Sequence, residues 1–108
     1  MLERPLTLAA LALLSIAAVQ AASTITVDQQ GLVFSQRTAS VQRGDRIVFV
    51  NGDDVIHNIH LFADNDEDER DLGLQKPGVR LNYQFDKAGR FTVRCNIHPS
   101  MKMVVMVR

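Results

Sequence analysis

From Thr24 onward, apolar and polar side chains take turns along the chain. Thr24-Ile25-Thr26-Val27-Asp28 alternates, Gln29-Gln30-Gly31 breaks the run, and Leu32-Val33-Phe34 resumes it. Ala39-Ser40-Val41-Gln42 leads into a turn at Arg43-Gly44-Asp45. Arg46-Ile47-Val48-Phe49-Val50-Asn51 then reads as a strand apolar on both faces. Past a break at Gly52-Asp53-Asp54, Val55 to Phe62 forms a further strand. Val79 to Phe85 alternates strictly, with Val79, Leu81, Tyr83 and Phe85 on the inner face. After a turn at Asp86-Lys87-Ala88-Gly89, Phe91 to Cys95 alternates again, and Lys102 to Val107 closes the chain. Short runs of period two, separated by turn signals and without helical period, predict an all-β fold: an antiparallel Greek-key β-sandwich. There is no internal repeat and no low-complexity segment.

Parity assigns side chains to faces, because successive residues of a strand point to opposite sides. Phe91, Val93, Cys95 and Ile97 share the inner face, and Arg94 and Asn96 the outer one. In the upstream strand His57 goes with Val55, Ile59 and Leu61, whereas His60 goes with Ile56, Asn58 and Phe62. Of these two histidines, parity therefore selects His57 to meet Cys95.

The 108 residues carry 12 basic and 12 acidic side chains and are 46% hydrophobic, which predicts one small globular domain and no nucleic-acid partner. Residues 1–21 read as a secretory signal. Leu6 to Ala18 is apolar behind Arg4, Val19-Gln20-Ala21 supplies small residues for a peptidase, and the run is too short to span a bilayer. Cleavage after Ala21 leaves residues 22–108 as the domain, periplasmic or otherwise exported and without membrane insertion. An uncleaved anchor is the rival reading. Cys95 is the only cysteine, so an internal disulfide is excluded. A lone cysteine in an exported chain is an intermolecular bridge, a reactive thiol or a metal ligand.

The neighbours of Cys95 favour a metal. Cys95-Asn96-Ile97-His98-Pro99-Ser100-Met101 puts a thiol, an imidazole and a thioether at a turn between two strands. With His57 as a second imidazole, the set becomes His2Cys plus a weak axial Met, the donors that suit copper cycling between Cu(I) and Cu(II). Zinc sites seldom recruit a thioether. A nucleophilic Cys–His pair would want an orienting group and an oxyanion donor, and no clear candidate for either lies near Cys95 or His98. The expected site is therefore one copper ion on His57, Cys95, His98 and Met101, with no catalytic residues.

These residues resemble the cupredoxin, or blue type 1 copper, family across the chain from about Ser23 to Arg108. Val41 to Asn51 is similar to the family's glycine-turn, strand and Asn stretch. His57-Asn58-Ile59-His60 with Cys-x2-His-Pro-x-Met is most similar to the amicyanin type. The resemblance implies His57, Cys95 and His98 as equatorial ligands and Met101 as the axial one. It also implies Asn58 as the residue that holds the copper loop and the Cys95 sulfur. The plastocyanin spacing would instead put the axial ligand at Met103, but Met103 is in parity with Val105 and Val107 as a core residue. Relatives with a proline between the cysteine and the histidine differ from Asn96-Ile97 here.

The expected function is single-electron shuttling between a protein donor and a protein acceptor, by a monomer that is not an enzyme. The alternative is a periplasmic copper carrier or resistance protein. His98 is the expected electron port, with Pro99, Pro77 and Leu74 as a docking patch. His60 is expected to be a hydrogen-bonded structural histidine. Asp64 to Asp71, with six acids against Arg70, is expected to be a solvated loop, although it could steer a cationic partner.

Overall fold

The computed structural model describes residues 2–5, 9–10, 12–13, 21–65 and 68–108. Most of the expected leader core, and the acidic residues Asp66 and Glu67, lie outside the described residues. Among the described residues no helix is long and apolar enough to cross a membrane.

Eight strands follow one another: β1 (Thr24–Gln29), β2 (Thr38–Val41), β3 (Arg46–Asn51), β4 (His57–Ala63), β5 (Glu69–Gln75), β6 (Arg80–Gln84), β7 (Gly89–Arg94) and β8 (Lys102–Val107). They form a three-stranded sheet, β1-β3-β6, and a five-stranded sheet, β2-β8-β7-β4-β5. The core between the sheets is filled by side chains that the period of two turns inward. These include Val27, Ile47 and Phe49 from the first sheet, and Ile59, Leu61, Val93, Met103 and Val105 from the second. Phe85 stacks edge-on against both Tyr83 and Phe91, closing the end opposite the histidines.

The expected all-β sandwich is therefore present, with three local differences. The pairing is mixed: β1 runs parallel to β3, and β2 parallel to β8, while the other ladders are antiparallel. The cause is that the chain changes sheets between β1 and β2 and between β2 and β3, so its first two strands add to edges already reached by later ones. Leu32-Val33-Phe34 does not continue as a strand. Only a Gln29–Phe34 bridge forms, and Leu32 sits at φ +59°. Val55 and Ile56 lie before β4 and are exposed, because the Asn51 amide holds the Val55 carbonyl at 2.8 Å and draws this segment out of the ladder.

β5 was not expected at all. Its first residues, Glu69 to Asp71, belong to the stretch read from the sequence as a solvated loop. It is the edge strand of the larger sheet, where charged side chains protect an open edge. Its register against β4 shifts between Ile59 and His60: Ile59 faces Gly73 and His60 faces Asp71, so Leu72 is an extra residue.

Candidate metal centre

The strand parity of β4 and β7 brings His57 and Cys95 to one end of the core, as expected. His57 opens β4, Cys95 follows β7, and both are fully buried. His98 and Met101 come from the short loop between β7 and β8. The loop closes on itself: the Met101 N–H donates to the His98 carbonyl at 2.8 Å, and the Cys95 N–H donates to the Met101 carbonyl at 3.2 Å. Met101 is thereby level with Cys95 and buried. Met103 pairs with Val93, one step deeper into the core.

Three donor atoms converge. His57 Nδ1 and His98 Nδ1 are 3.2 Å apart, and Cys95 Sγ lies 3.7 Å from the first and 3.8 Å from the second. The rings stand nearly perpendicular, at 76°. A point equidistant from the three atoms is about 2.1 Å from each, by the geometry of that triangle. Imidazole and thiolate bonds to a metal such as zinc are roughly 2.0–2.3 Å, so the space fits one metal ion. Three electron-rich atoms facing one another in a buried pocket also require a cation, or protons, to offset their repulsion.

The surroundings fix these donors. Asp53 Oδ2 accepts from His57 Nε2 at 2.7 Å. This holds the imidazole proton on Nε2 and leaves Nδ1 free as a ligand. The same carboxylate accepts from the Gly31 amide at 2.6 Å and the Leu32 amide at 3.1 Å. Both residues have positive φ, which is what turns their successive N–H groups toward one anion. Burial raises the Asp53 pKa, but the His57, Leu32 and Gly31 hydrogen bonds outweigh it and keep the carboxyl below its ordinary range. Asp53 was read from the sequence only as a strand breaker. The available signal was a carboxylate four residues before the candidate ligand His57, in the turn that leads to it.

Asn58 serves the thiol side, as the resemblance implied. Its N–H donates to Cys95 Sγ at 3.4 Å, and its Oδ1 accepts from the Asn96 N–H at 2.5 Å. His60 points to the outer face, away from Cys95, as parity requires. There it meets Glu69 at 2.6 Å and Asn96 at 2.7 Å.

The sequence pattern of copper-binding proteins of the plastocyanin/azurin family matches residues 21–108. The chain belongs to that family. Its cofactor is one copper ion, and the thiol–imidazole–thioether donor set at this end of the sandwich is of the kind copper selects. Among curated proteins it is 38% identical over 60 residues to the methylamine utilization protein MauL of Methylorubrum extorquens, covering 56% of this chain and 52% of that protein. It is 34% identical over 68 residues to the MauL of Methylophilus methylotrophus, covering 61% of this chain and 38% of that protein. The chain thus spans about half or less of the curated relatives it matches. Among solved structures, a reduced amicyanin variant superposes with a TM-score of 0.72 at 26% identity, over 79% of this chain and 82% of that one. A second reduced amicyanin variant, at pH 4, gives 0.71 at 25% identity over 83% and 85%.

Proposed function

We propose that residues 22–108 form an exported single-electron carrier, with His57, Cys95 and His98 as the equatorial copper ligands and Met101 as the axial one. The observation that carries this reading is the convergence of one thiol and two imidazole nitrogens within 3.8 Å of one another in a pocket held rigid from both sides. Copper supplies the redox change between Cu(II) and Cu(I). The chain's own residues keep the donors where both states can use them. Cys95 gives the electron-rich bond, the Asn58 N–H steadies its charge, and Asp53 holds the His57 ring. Met101 supports a long, weak contact that tunes the potential.

His98 is the half-exposed member of the cluster, and its ring edge is the port through which an electron leaves or enters. Ile97 and Pro99 flank it in the loop, both exposed, and Leu74 on β5 is exposed beside Asn58. A small apolar patch of this kind suits a short-lived complex with a protein donor or acceptor. The four donors would fill the coordination positions of a copper ion and leave none open for a substrate, which supports a carrier rather than an enzyme. A copper-delivery protein must release its ion easily. A buried His57 held by a charged partner, and a thiol held by a backbone N–H, favour electron transfer over hand-over. The apolar run before Ala21 supports export, and the likeness to methylamine utilization proteins fits a redox partner in methylamine utilization.

The test is the visible spectrum of the copper-loaded protein during reduction and reoxidation. An intense blue band that bleaches and returns is expected. A colourless or weakly coloured complex would overturn the thiolate–copper assignment.

A further inference from the structure

On the outer face of the five-stranded sheet, a hydrogen-bonded line runs from a surface carboxylate to the copper thiol. Glu69 Oε1 accepts from His60 Nε2 at 2.6 Å, and His60 Nδ1 accepts from Asn96 Nδ2 at 2.7 Å. The Asn96 backbone N–H donates to Asn58 Oδ1 at 2.5 Å, and the Asn58 N–H donates to Cys95 Sγ at 3.4 Å. Because Glu69 takes the proton on Nε2, the other ring nitrogen must be an acceptor, which orients the Asn96 amide.

The ring itself is clamped. It stacks on Phe62 with centroids 4.1 Å apart, and the Arg94 guanidinium covers the Phe62 ring at 4.5 Å. The extra residue Leu72 in β5 creates this arrangement. By advancing β5 one position it sets Glu69 opposite Phe62, so that its carboxylate reaches diagonally back to His60. The same shift brings Asp71 Oδ1 to 3.4 Å from Asn58 Nδ2.

We propose that His60, backed by Glu69, is a positioning residue for the copper thiolate. By anchoring Asn96 it fixes Asn58, and through Asn58 the hydrogen bond that holds Cys95 Sγ. Asn96 is an exposed residue next to the ligand cysteine and would otherwise be free to rotate. The proposal rests on the reading of Cys95 as a copper ligand. An N–H bond to a thiolate withdraws charge from sulfur and favours the reduced metal, so loosening it lowers the reduction potential.

The experiment compares the unsubstituted full chain with His60→Ala, His60→Gln and Glu69→Ala. In the copper-loaded protein, His60→Ala and Glu69→Ala are expected to shift the Cu(II)/Cu(I) equilibrium at least threefold toward Cu(II). This is a fall of about 28 mV, at 59 mV per decade for one electron. In the copper-free protein the Asn96 backbone amide is expected to exchange at least threefold faster. His60→Gln, which can still accept from Asn96 and donate to Glu69, is expected to keep most of both properties.

The sign of the Glu69→Ala effect is decisive. Losing a negative charge by electrostatics alone favours the reduced metal and raises the potential, whereas loosening the thiolate lowers it. Glu69 lies at the surface, so this variant reports even if His60→Ala fails to fold. A raised or unchanged potential with unchanged Asn96 exchange would overturn the proposal while leaving the copper reading intact. Absence of the blue band from the unsubstituted protein would overturn both.

Discussion

Met101 and Met103 are both buried and two residues apart, and backbone hydrogen bonds separate their roles. Met101 shares its peptide groups with Cys95 and His98, whereas Met103 is paired with Val93 in the core. Met103→Ala should therefore cost about 2–5 kcal/mol of stability. It should leave the visible spectrum of the copper protein unchanged. Met101→Ala should change the spectrum and potential, because it removes the proposed axial contact. Paired denaturant titrations and spectra check this, and a spectral change confined to Met103→Ala would reverse the assignment. Cys95→Ser should abolish the intense visible band and keep the fold, as read by circular dichroism. At this scale the sequence was informative wherever chemistry is unusual. A lone cysteine near a histidine and a methionine is conspicuous, and parity alone chose His57 over His60. Asp53 was less visible, since an aspartate beside a glycine is an ordinary turn residue until its distance to His57 is known.

β5 is the element that period-two reasoning missed. Glu-Arg-Asp-Leu-Gly-Leu-Gln is charged at one end, and the bulge at Leu72 breaks the alternation that would have identified it. Yet this strand carries Glu69 and Asp71 to the residues behind the thiol. Gly73 makes the bulge possible: its φ is +97°, and an added Cβ would meet nothing within 4 Å. Gly73→Ala should therefore carry backbone strain alone, about 1–3 kcal/mol. Because the Gly73 N–H also donates to Asp71 Oδ1 at 2.9 Å, the variant should loosen Asn58 as well. Thermal melting, with amide exchange at Asn58, measures both effects. A variant as stable as its parent would mean that β5 can straighten without cost. The strands that were legible, β1, β3, β4, β6, β7 and β8, are those whose alternating side chains fill the core or pack against it.

For the whole molecule, alternation revealed two packed sheets but not which strands pair, because a period of two is the same in parallel and antiparallel ladders. What joins the sheets and their early strands includes carboxylates that periodicity ignores. Asp45 Oδ1 accepts from the Ser23 N–H and its Oδ2 from the Gln42 N–H, each at 2.8 Å. It thereby ties the start of β1 and the end of β2 to the turn before β3. These two backbone bonds lower the Asp45 pKa, and the His57, Leu32 and Gly31 bonds, working against burial, lower that of Asp53. A carboxylate whose folded pKa is depressed binds protons less readily folded than unfolded. Its stabilising contribution is complete above the unfolded value of about 3.9 and is lost as pH falls through the folded value. The melting temperature of the copper-free protein should therefore hold steady, as far as these two groups are concerned, down to about pH 5 and drop below about pH 4. Asp45→Asn should melt lower at neutral pH, because one amide oxygen cannot replace both carboxylate acceptors, and its acid decline should be shallower. If Asp45→Asn and its parent lost stability in parallel from pH 5 to pH 3, Asp45 would have no part in the acid sensitivity of the fold.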